Sequence, residues 1–398
     1  MLKFNVVLDT NIYRKNPKRS DLPFETLERL CKAGVLCLHL PYVVEREFQT
    51  QQIEQYQKDI SGSLSGLQSI IRKGLPPAEL ANVQGIHDSI KTVEPSLIAA
   101  AEAPLISWAE AISAKRHPIT ESAAQSAMEA YFQGHPPFTK LKIRDDIPDA
   151  FIFQTIKDIS AIEPALIVVS EDGKLANASR NIPNVIVHNS LSAMIESEFI
   201  KAEISKLDGV ERMEATKDLL QQDEVKFDEP TVAEDLEAIK NLLQEYEVKF
   251  GELTTDIKRS SGEKLAWKIV HSPHIPDDNH EAIITGCDDA EDIKLDFEDL
   301  YYFGAGKFGL PFSYRTTASL TYYIFKSDYY CLDEDRMPSV TDHNDHYYEA
   351  EEDLDVCVTG VLRISFPPEE IKGLTLDTVE DHIDFEIDSI DKIEVLKP

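Results

Sequence analysis

Apolar and polar positions follow two different rhythms along this chain, and the rhythm changes near residue 262. In the first half, short apolar runs alternate with segments of helical period. FNVVL at residues 4–8, VLCLHL at 35–40, ALIVV at 165–169 and NVIV at 184–187 have the length and β-branched content of buried strands. Between the first two, residues 22–33 place Phe24, Leu27, Leu30 and Cys31 on one helical face, and Gly34 follows as a stop. Residues 150–159 (AFIFQTIKDI) and 174–179 supply further helices beside the later strands. Strands alternating with helices predict a parallel sheet covered on both faces.

That alternation is interrupted. A long polar helix is expected from residue 43 to about 73, ended by GLPP at 74–77. Residues 78–134 read as helical, with breaks at Pro95, Pro104 and Pro118. A compact sheet domain does not need this length, so residues 55–135 are assigned as a helical insertion. Residues 191 to about 222 and 231–250 are expected as helices, the second with Leu236, Ile239, Leu242, Leu243 and Tyr246 on one side. Residues 251–262 read as a linker. Beyond them β-rich runs recur at 281–286, 293–303, 312–330, 354–366 and 382–395, with turn signals between. The fold class expected is therefore α/β. It comprises an N-terminal parallel-sheet domain (1–190), a helical connector (191–262) and a C-terminal β-rich domain, an antiparallel sandwich (263–398).

Composition narrows the class of function. The chain has 398 residues and a net charge of −32. Residues 1–200 carry 20 Lys and Arg against 24 Asp and Glu, whereas residues 201–398 carry 20 against 48. An acidic half repels nucleic acid, so any work on nucleic acid falls to the N-terminal half. No run approaches the ~18 apolar residues of a membrane span. The first residues lack a basic head with an apolar core and are read as part of the folded protein. Five cysteines without a CxxC pair suit buried thiols in a reducing cytoplasm.

The candidate chemistry lies at strand ends. The first strand stops on Asp9, then Thr10 and Asn11. Glu47 lies on the helix after the second strand, Asp149 opens the helix after the insertion, and Asp172 follows the strand at 165–169. In a parallel sheet all four would meet above the strands' carboxyl ends, where open α/β sheets bind ligands. Four clustered carboxylates call for a cation, and oxygen donors favour hard divalent ions, Mg²⁺ or Mn²⁺. Two such ions about 4 Å apart would activate a water and stabilise the leaving oxygen of a phosphodiester. Alternatives stand beside each choice. Glu45 is two residues from Glu47 and about 160° away round a helix, so only one of them can face the site, and Glu47 is preferred. Asp145 and Asp146 stand close to Asp149, and Glu171 adjoins Asp172. Each acid taken alone is more often plain surface; four in register favour a site.

VVLDTN at 6–11, PYVVEREF at 41–48, IPDAFIF at 147–153 and LIVVSEDGKL at 166–175 together resemble a PIN-domain ribonuclease. The resemblance covers residues 1 to about 190 and is to the longer bacterial kind with a helical insertion. It implies a parallel sheet with Asp9 as the central metal ligand and Glu47, Asp149 and Asp172 as the other acids, Asp172 acting directly or through water. It also implies that Asn11 and Ser170 orient the carboxylates. The implied activity is metal-dependent cleavage of single-stranded RNA that leaves a 5′-phosphate and a 3′-hydroxyl. Some PIN domains form homodimers, so a homodimer is an expectation of the same origin.

Basic residues flank the acids: Arg14, Lys15, Lys18 and Arg19 in a segment after the first strand that reads as a loop, and Lys140, Lys142 and Arg144 before Asp149. Phosphate contact is one reading, with Arg14, Lys15, Lys140, Lys142 and Arg144 as the nucleic-acid-binding candidates; solvated charge is the other. Tyr13 and Phe138 beside them are expected in the core. His343 and His346 are read as a polar loop, not a metal pair. The acidic C-terminal half is expected to regulate or to bind a protein partner. Two further readings remain: a scaffold that binds without cutting, and a nuclease acting on DNA.

Overall fold

The computed structural model describes residues 4–219, 232–332, 337–368 and 371–396. The chain divides into two compact units, residues 1–201 and 202–398. The first holds β1 (Phe4–Leu8), α1 (Thr10–Lys15), α2 (Leu22–Lys32), β2 (Leu36–Pro41), α3 (Tyr42–Arg72), α4 (Pro77–Ala100), α5 (Ala103–Ala111) and β3 (Lys115–His117). It continues with α6 (Glu121–Gln133), α7 (Ile147–Ser160), β4 (Leu166–Val169), α8 (Gly173–Ser179), β5 (Val185–His188) and α9 (Leu191–Ile195). The helix α10 (Glu198–Leu219) crosses the boundary between the units.

The five strands form one parallel sheet in the order β3-β2-β1-β4-β5. The chain moves outward from β1 through β2 to β3, then returns to the other side of β1 for β4 and β5. This reversal opens a crevice beyond the carboxyl ends of β1 and β4. Val6, Val7 and Leu8 on β1 have no exposed surface, and Leu166–Val169 on β4 are equally covered. Each such side chain contributes roughly 1.5–3 kcal/mol on burial, which makes the central strands a rigid floor.

Several sequence expectations need correction in this unit. The basic segment after Asp9 is not a loop throughout: residues 10–15 form α1, capped by the Asp9 side chain, which accepts from the Thr10 N–H. Pro95 does not break a helix; α4 runs through it. Pro95 is exposed, so water can serve the carbonyl that its ring leaves without a donor. The insertion is not purely helical either. Lys115–His117 returns to the sheet as β3, pairing in parallel with His39–Pro41. A three-residue basic strand has no apolar rhythm and could not be seen in the sequence. Arg19 is buried, donates to the carbonyls of Pro17 and Pro104, and sits 5.3 Å from the Trp108 ring, so it belongs to the core. Tyr13 and Phe138 are buried as expected.

The second unit holds α11 (Val232–Phe250), α12 (Glu252–Leu265), β6 (Ile269–His271), β7 (Glu281–Cys287), β8 (Glu291–Leu295), β9 (Tyr301–Gly304) and β10 (Lys307–Phe325). The short α13 (Lys326–Tyr329), β11 (Ser339–Asp342), β12 (Tyr347–Ser365) and β13 (Asp384–Val395) complete it. The helix ends expected at 220–222 and at 231 lie outside the described residues. The eight strands form one antiparallel sheet. β10 and β12 pair along 19 positions, from Lys307 opposite Ser365 to Phe325 opposite Tyr347. Even-numbered residues of β10, from Phe308 to Ile324, point inward and are buried. The expected antiparallel β-domain is present, but its second layer is helical where a sandwich would place a second sheet. Ile239, Leu243 and Tyr246 of α11 and Leu253, Ile257 and Leu265 of α12 share the sheet's core. The stretch read as a linker is therefore α12. Its Ser, Gly and charged residues concealed an apolar stripe, and Gly251, at φ 64°, makes the left-handed turn between the two helices. Among the described residues no helix is long and apolar enough to cross a membrane.

Candidate functional site

Asp9 follows β1, and its backbone N–H donates to the Val169 carbonyl at the end of β4. The side chain is 5% exposed and accepts three hydrogen bonds. The Thr10 N–H donates to Oδ1 at 2.7 Å, the Asn11 amide to Oδ2 at 2.8 Å, and the Ser170 hydroxyl to Oδ2 at 2.6 Å. Ser170 is itself oriented, because its oxygen accepts the Asp172 N–H at 3.1 Å and so turns the hydroxyl proton toward Asp9. Asn11 and Ser170 thus orient Asp9.

Thr10 was not singled out in the sequence, yet it links two acids. Its N–H holds Asp9, and its hydroxyl donates to Glu47 Oε2 at 2.7 Å. The signal was available in the Asp-Thr-Asn triplet, but the partner lies 37 residues away. Asp172 caps α8, with Oδ1 accepting from the N–H groups of Lys174 and Leu175 at 2.7 and 2.8 Å. Asp149 stands in the first turn of α7.

Burial raises the pKa of Asp9 against its hydrogen bonds, and burial likewise raises that of Glu47. Asp149 is pushed up to about 7, first by burial and then by the charges of Asp172, Asp9, Glu47 and Asp146. The charges that act on Asp149 include those of the other three sequence-predicted acids, Asp172, Asp9 and Glu47, each from a different segment of the chain.

The neighbouring acids behave differently. Glu45, 4% exposed, accepts from Arg116 at both oxygens, 2.9 and 2.7 Å, across to β3. Asp146 accepts from Lys174 at both oxygens, 2.7 and 2.9 Å. Glu171 pairs with Lys15 at 2.5 Å. Glu45, Asp146 and Glu171 therefore each hold a cationic side chain. Among the described residues Asp9, Glu47, Asp149 and Asp172 form no ion pair; the side-chain hydrogen bonds that Asp9, Glu47 and Asp172 accept come from neutral donors. Asp145 is exposed.

This donor set fits a hard divalent cation. Four carboxylates, three of them raised in pKa by burial, form no ion pair of their own, and the Asn11 Oδ1 beside Asp9 is buried with no partner. As the side chains stand, no three Asp, Glu, His or Cys among the described residues form a group that could hold a metal ion. His343 and His346 sit in an exposed turn, against Tyr323 and Phe325.

Of the basic candidates, Arg14, Lys140, Lys142 and Arg144 are exposed, Lys142 with its ammonium 5.9 Å from the Phe132 ring, while Lys15 is engaged with Glu171. A cleft of about 760 Å³ opens between α6, α7 and α8, lined among others by His135, Phe153, Gln154, Lys157 and Asn181; it does not include the four acids.

Residues 6–175 match the family model of the PIN domain. No curated protein and no solved structure matches the chain.

Proposed function

We propose that this chain, whose N-terminal half is a PIN domain, a nuclease-type domain, is a metal-dependent endoribonuclease that hydrolyses single-stranded RNA. One observation carries the reading. At the sheet's switch point four carboxylates meet without ion pairs, while Glu45, Asp146 and Glu171 beside them are each paired with Arg or Lys. Like charges held together at a cost to their ionisation are the mark of a site awaiting a cation.

Asp9, Glu47, Asp149 and Asp172 would hold Mg²⁺ or Mn²⁺. When bound, such ions supply an activated water and charge at the leaving oxygen of a phosphodiester. The chain's own residues prepare that site. Thr10 and Asn11 fix Asp9 and Glu47 relative to β1, and Ser170 ties Asp9 to the β4 end. Arg14, Lys140, Lys142 and Arg144 supply exposed positive charge for the RNA backbone, which the acids would otherwise repel. Single-stranded RNA is the substrate class that the resemblance implies.

The second unit takes the regulatory or partner-binding role in this reading. Glu349, Glu351, Asp353 and Asp355 run along one face of β12, opposite Tyr323, Thr321, Ser319 and Thr317, so this sheet face disfavours nucleic acid and suits a basic protein partner.

The test is cleavage of a labelled single-stranded RNA with Mn²⁺ or Mg²⁺, beside the matched DNA strand. RNA cleavage that requires the metal and disappears in Asp9→Asn and Asp149→Asn is expected. Activity that survives both substitutions would refute the assignment. Preference for the DNA strand would make the chain a DNA nuclease. Metal-independent binding with no cleavage would make it a scaffold.

A further inference from the structure

We propose that the Lys174–Asp146 ion pair is a positioning clamp that sets the separation between Asp149 and Asp172. It rests on the reading of these two acids as metal ligands. The pair joins the starts of two helices. Asp146 immediately precedes α7, whose first turn carries Asp149; Lys174 is the second residue of α8, which Asp172 caps. One ammonium grips both oxygens of one carboxylate, at 2.7 and 2.9 Å. The Asp146 side chain is 8% exposed and that of Lys174 is 41% exposed, so the joint is anchored in protein at its acidic end.

The clamp opposes a force that the site itself creates. Among the charges acting on Asp149, that of Asp172 is the largest, and it is repulsive. Repulsion between the two carboxylates pushes the two helix starts apart, while the ion pair, spanning the same two helix starts, pulls them together. Its placement is selective. Because the ammonium is engaged by Asp146, it occupies no oxygen of Asp149 or Asp172, of which only Asp172 Oδ1 is taken up, by the cap of α8, and it adds positive charge beside both acids. A lysine bonded directly to either acid would compete for those oxygens. Asp146, with both oxygens occupied, is thereby the acid that holds and not an acid that ligates.

A tether and a simple counter-charge make opposite forecasts, so the chain can be asked which it has. Mn²⁺ affinity is measured by calorimetry on the full-length protein for the wild type, Lys174→Met, Asp146→Asn, the double variant and Lys174→Arg. Thermal midpoints in chelator establish that each is folded. With a clamp, both single variants and the double variant bind Mn²⁺ about 10-fold or more weakly, as outer-shell substitutions do, and Lys174→Arg stays within about 3-fold of wild type. With charge alone, Lys174→Met binds more tightly, Asp146→Asn more weakly, and the double variant returns to wild type because the net charge is restored. Cancellation in the double variant overturns the clamp, and so does equal affinity in all five proteins. The double variant leaves no unpaired buried charge and keeps the test open should a single variant misfold. Absence of Mn²⁺ binding by the folded wild type overturns the metal-site reading itself, and the clamp with it.

Discussion

Asp149→Asn removes one negative charge from a crowded site and should stabilise the metal-free protein in a pH-dependent way. The carboxyl of Asp149 moves from an ordinary 3.8 to about 7 on folding. The folded chain therefore holds a proton that the unfolded chain releases between those values. Stability must then fall as pH rises through this window: the group costs nothing below the ordinary carboxylate range and its full penalty is reached once pH exceeds about 7. At about 1.36 kcal/mol per unit the ceiling is roughly 4 kcal/mol. Asp149 is only partly buried, so solvent screening reduces the working figure to about 1–2 kcal/mol. The amide variant escapes the penalty. In chelator its advantage over wild type should be small at pH 4.5 and grow to a plateau above pH 7, a gain of roughly 2–8 °C in midpoint. The chain has two tryptophans, Trp108 and Trp267. Trp108 packs 6.2 Å from Tyr13 and 5.9 Å from Phe24, so in a Trp267→Phe background its fluorescence follows the N-terminal unit alone. Saturating Mn²⁺ should reverse the order, stabilising wild type by about 2.7 kcal/mol at 100 times Kd while leaving the variant nearly unchanged. An advantage that does not vary between pH 4.5 and 8, or a variant less stable at pH 8, would refute the reasoning.

Three other outcomes are expected. Glu45→Gln breaks the bidentate pair with Arg116 and should cost about 1–3 kcal/mol of stability, whereas Glu47→Gln should weaken Mn²⁺ binding at little cost in stability, in the same calorimetric and denaturant titrations. Neutralising Lys140, Lys142 and Arg144 together should flatten the dependence of RNA affinity on salt by about 0.7 in log–log slope for each RNA phosphate that these side chains neutralise; an unchanged slope would make these residues plain solvated charge. Gly360→Ala in β12 places a methyl against the Ser389 carbonyl oxygen and 2.8 Å from the Phe312 ring, and should destabilise the C-terminal unit by about 1–3 kcal/mol in calorimetry.

What the sequence made legible followed from local rhythm. β4 is a continuous apolar run, and β1 and β2 are apolar but for Asn5 and His39; a run of that kind needs no partner to be recognised. The long strands β10 and β12 alternate strictly and were found for the same reason, though short of their full lengths. The failures share a cause as well. β3 is three residues of Lys-Arg-His held by pairing to β2 and by Arg116 on Glu45, and both contacts are non-local. α12 hides its stripe behind Ser, Lys and Gly because two of its buried positions, Asp256 and Ser261, are polar. Arg19 read as one more residue of a basic loop because charge is visible in a sequence and the aromatic surfaces of Phe48 and Trp108 that cover it are not.

The acids divide along the same line, and here the division bears on function. At the carboxyl edge of the sheet the chain places more carboxylates than a site requires, and residue type does not sort them. Glu45 and Glu47 differ by two positions, Asp146 and Asp149 by three, Glu171 and Asp172 by one. Sorting comes from partners 71, 28 and 156 residues away: Arg116 takes Glu45, Lys174 takes Asp146, and Lys15 takes Glu171. Each pairing does two things at once. It removes one acid from competition for a cation, and it fixes a segment that carries an acid left unpaired. Arg116 joins β3 to the helix bearing Glu47. Lys174 joins the helix starts bearing Asp149 and Asp172. Lys15 joins the end of α1, which begins at Asp9, to the loop after β4. At the site the bases Arg116, Lys174 and Lys15 neutralise the acids that brace it, and Asp9, Glu47, Asp149 and Asp172 are left without an ion pair among the described residues.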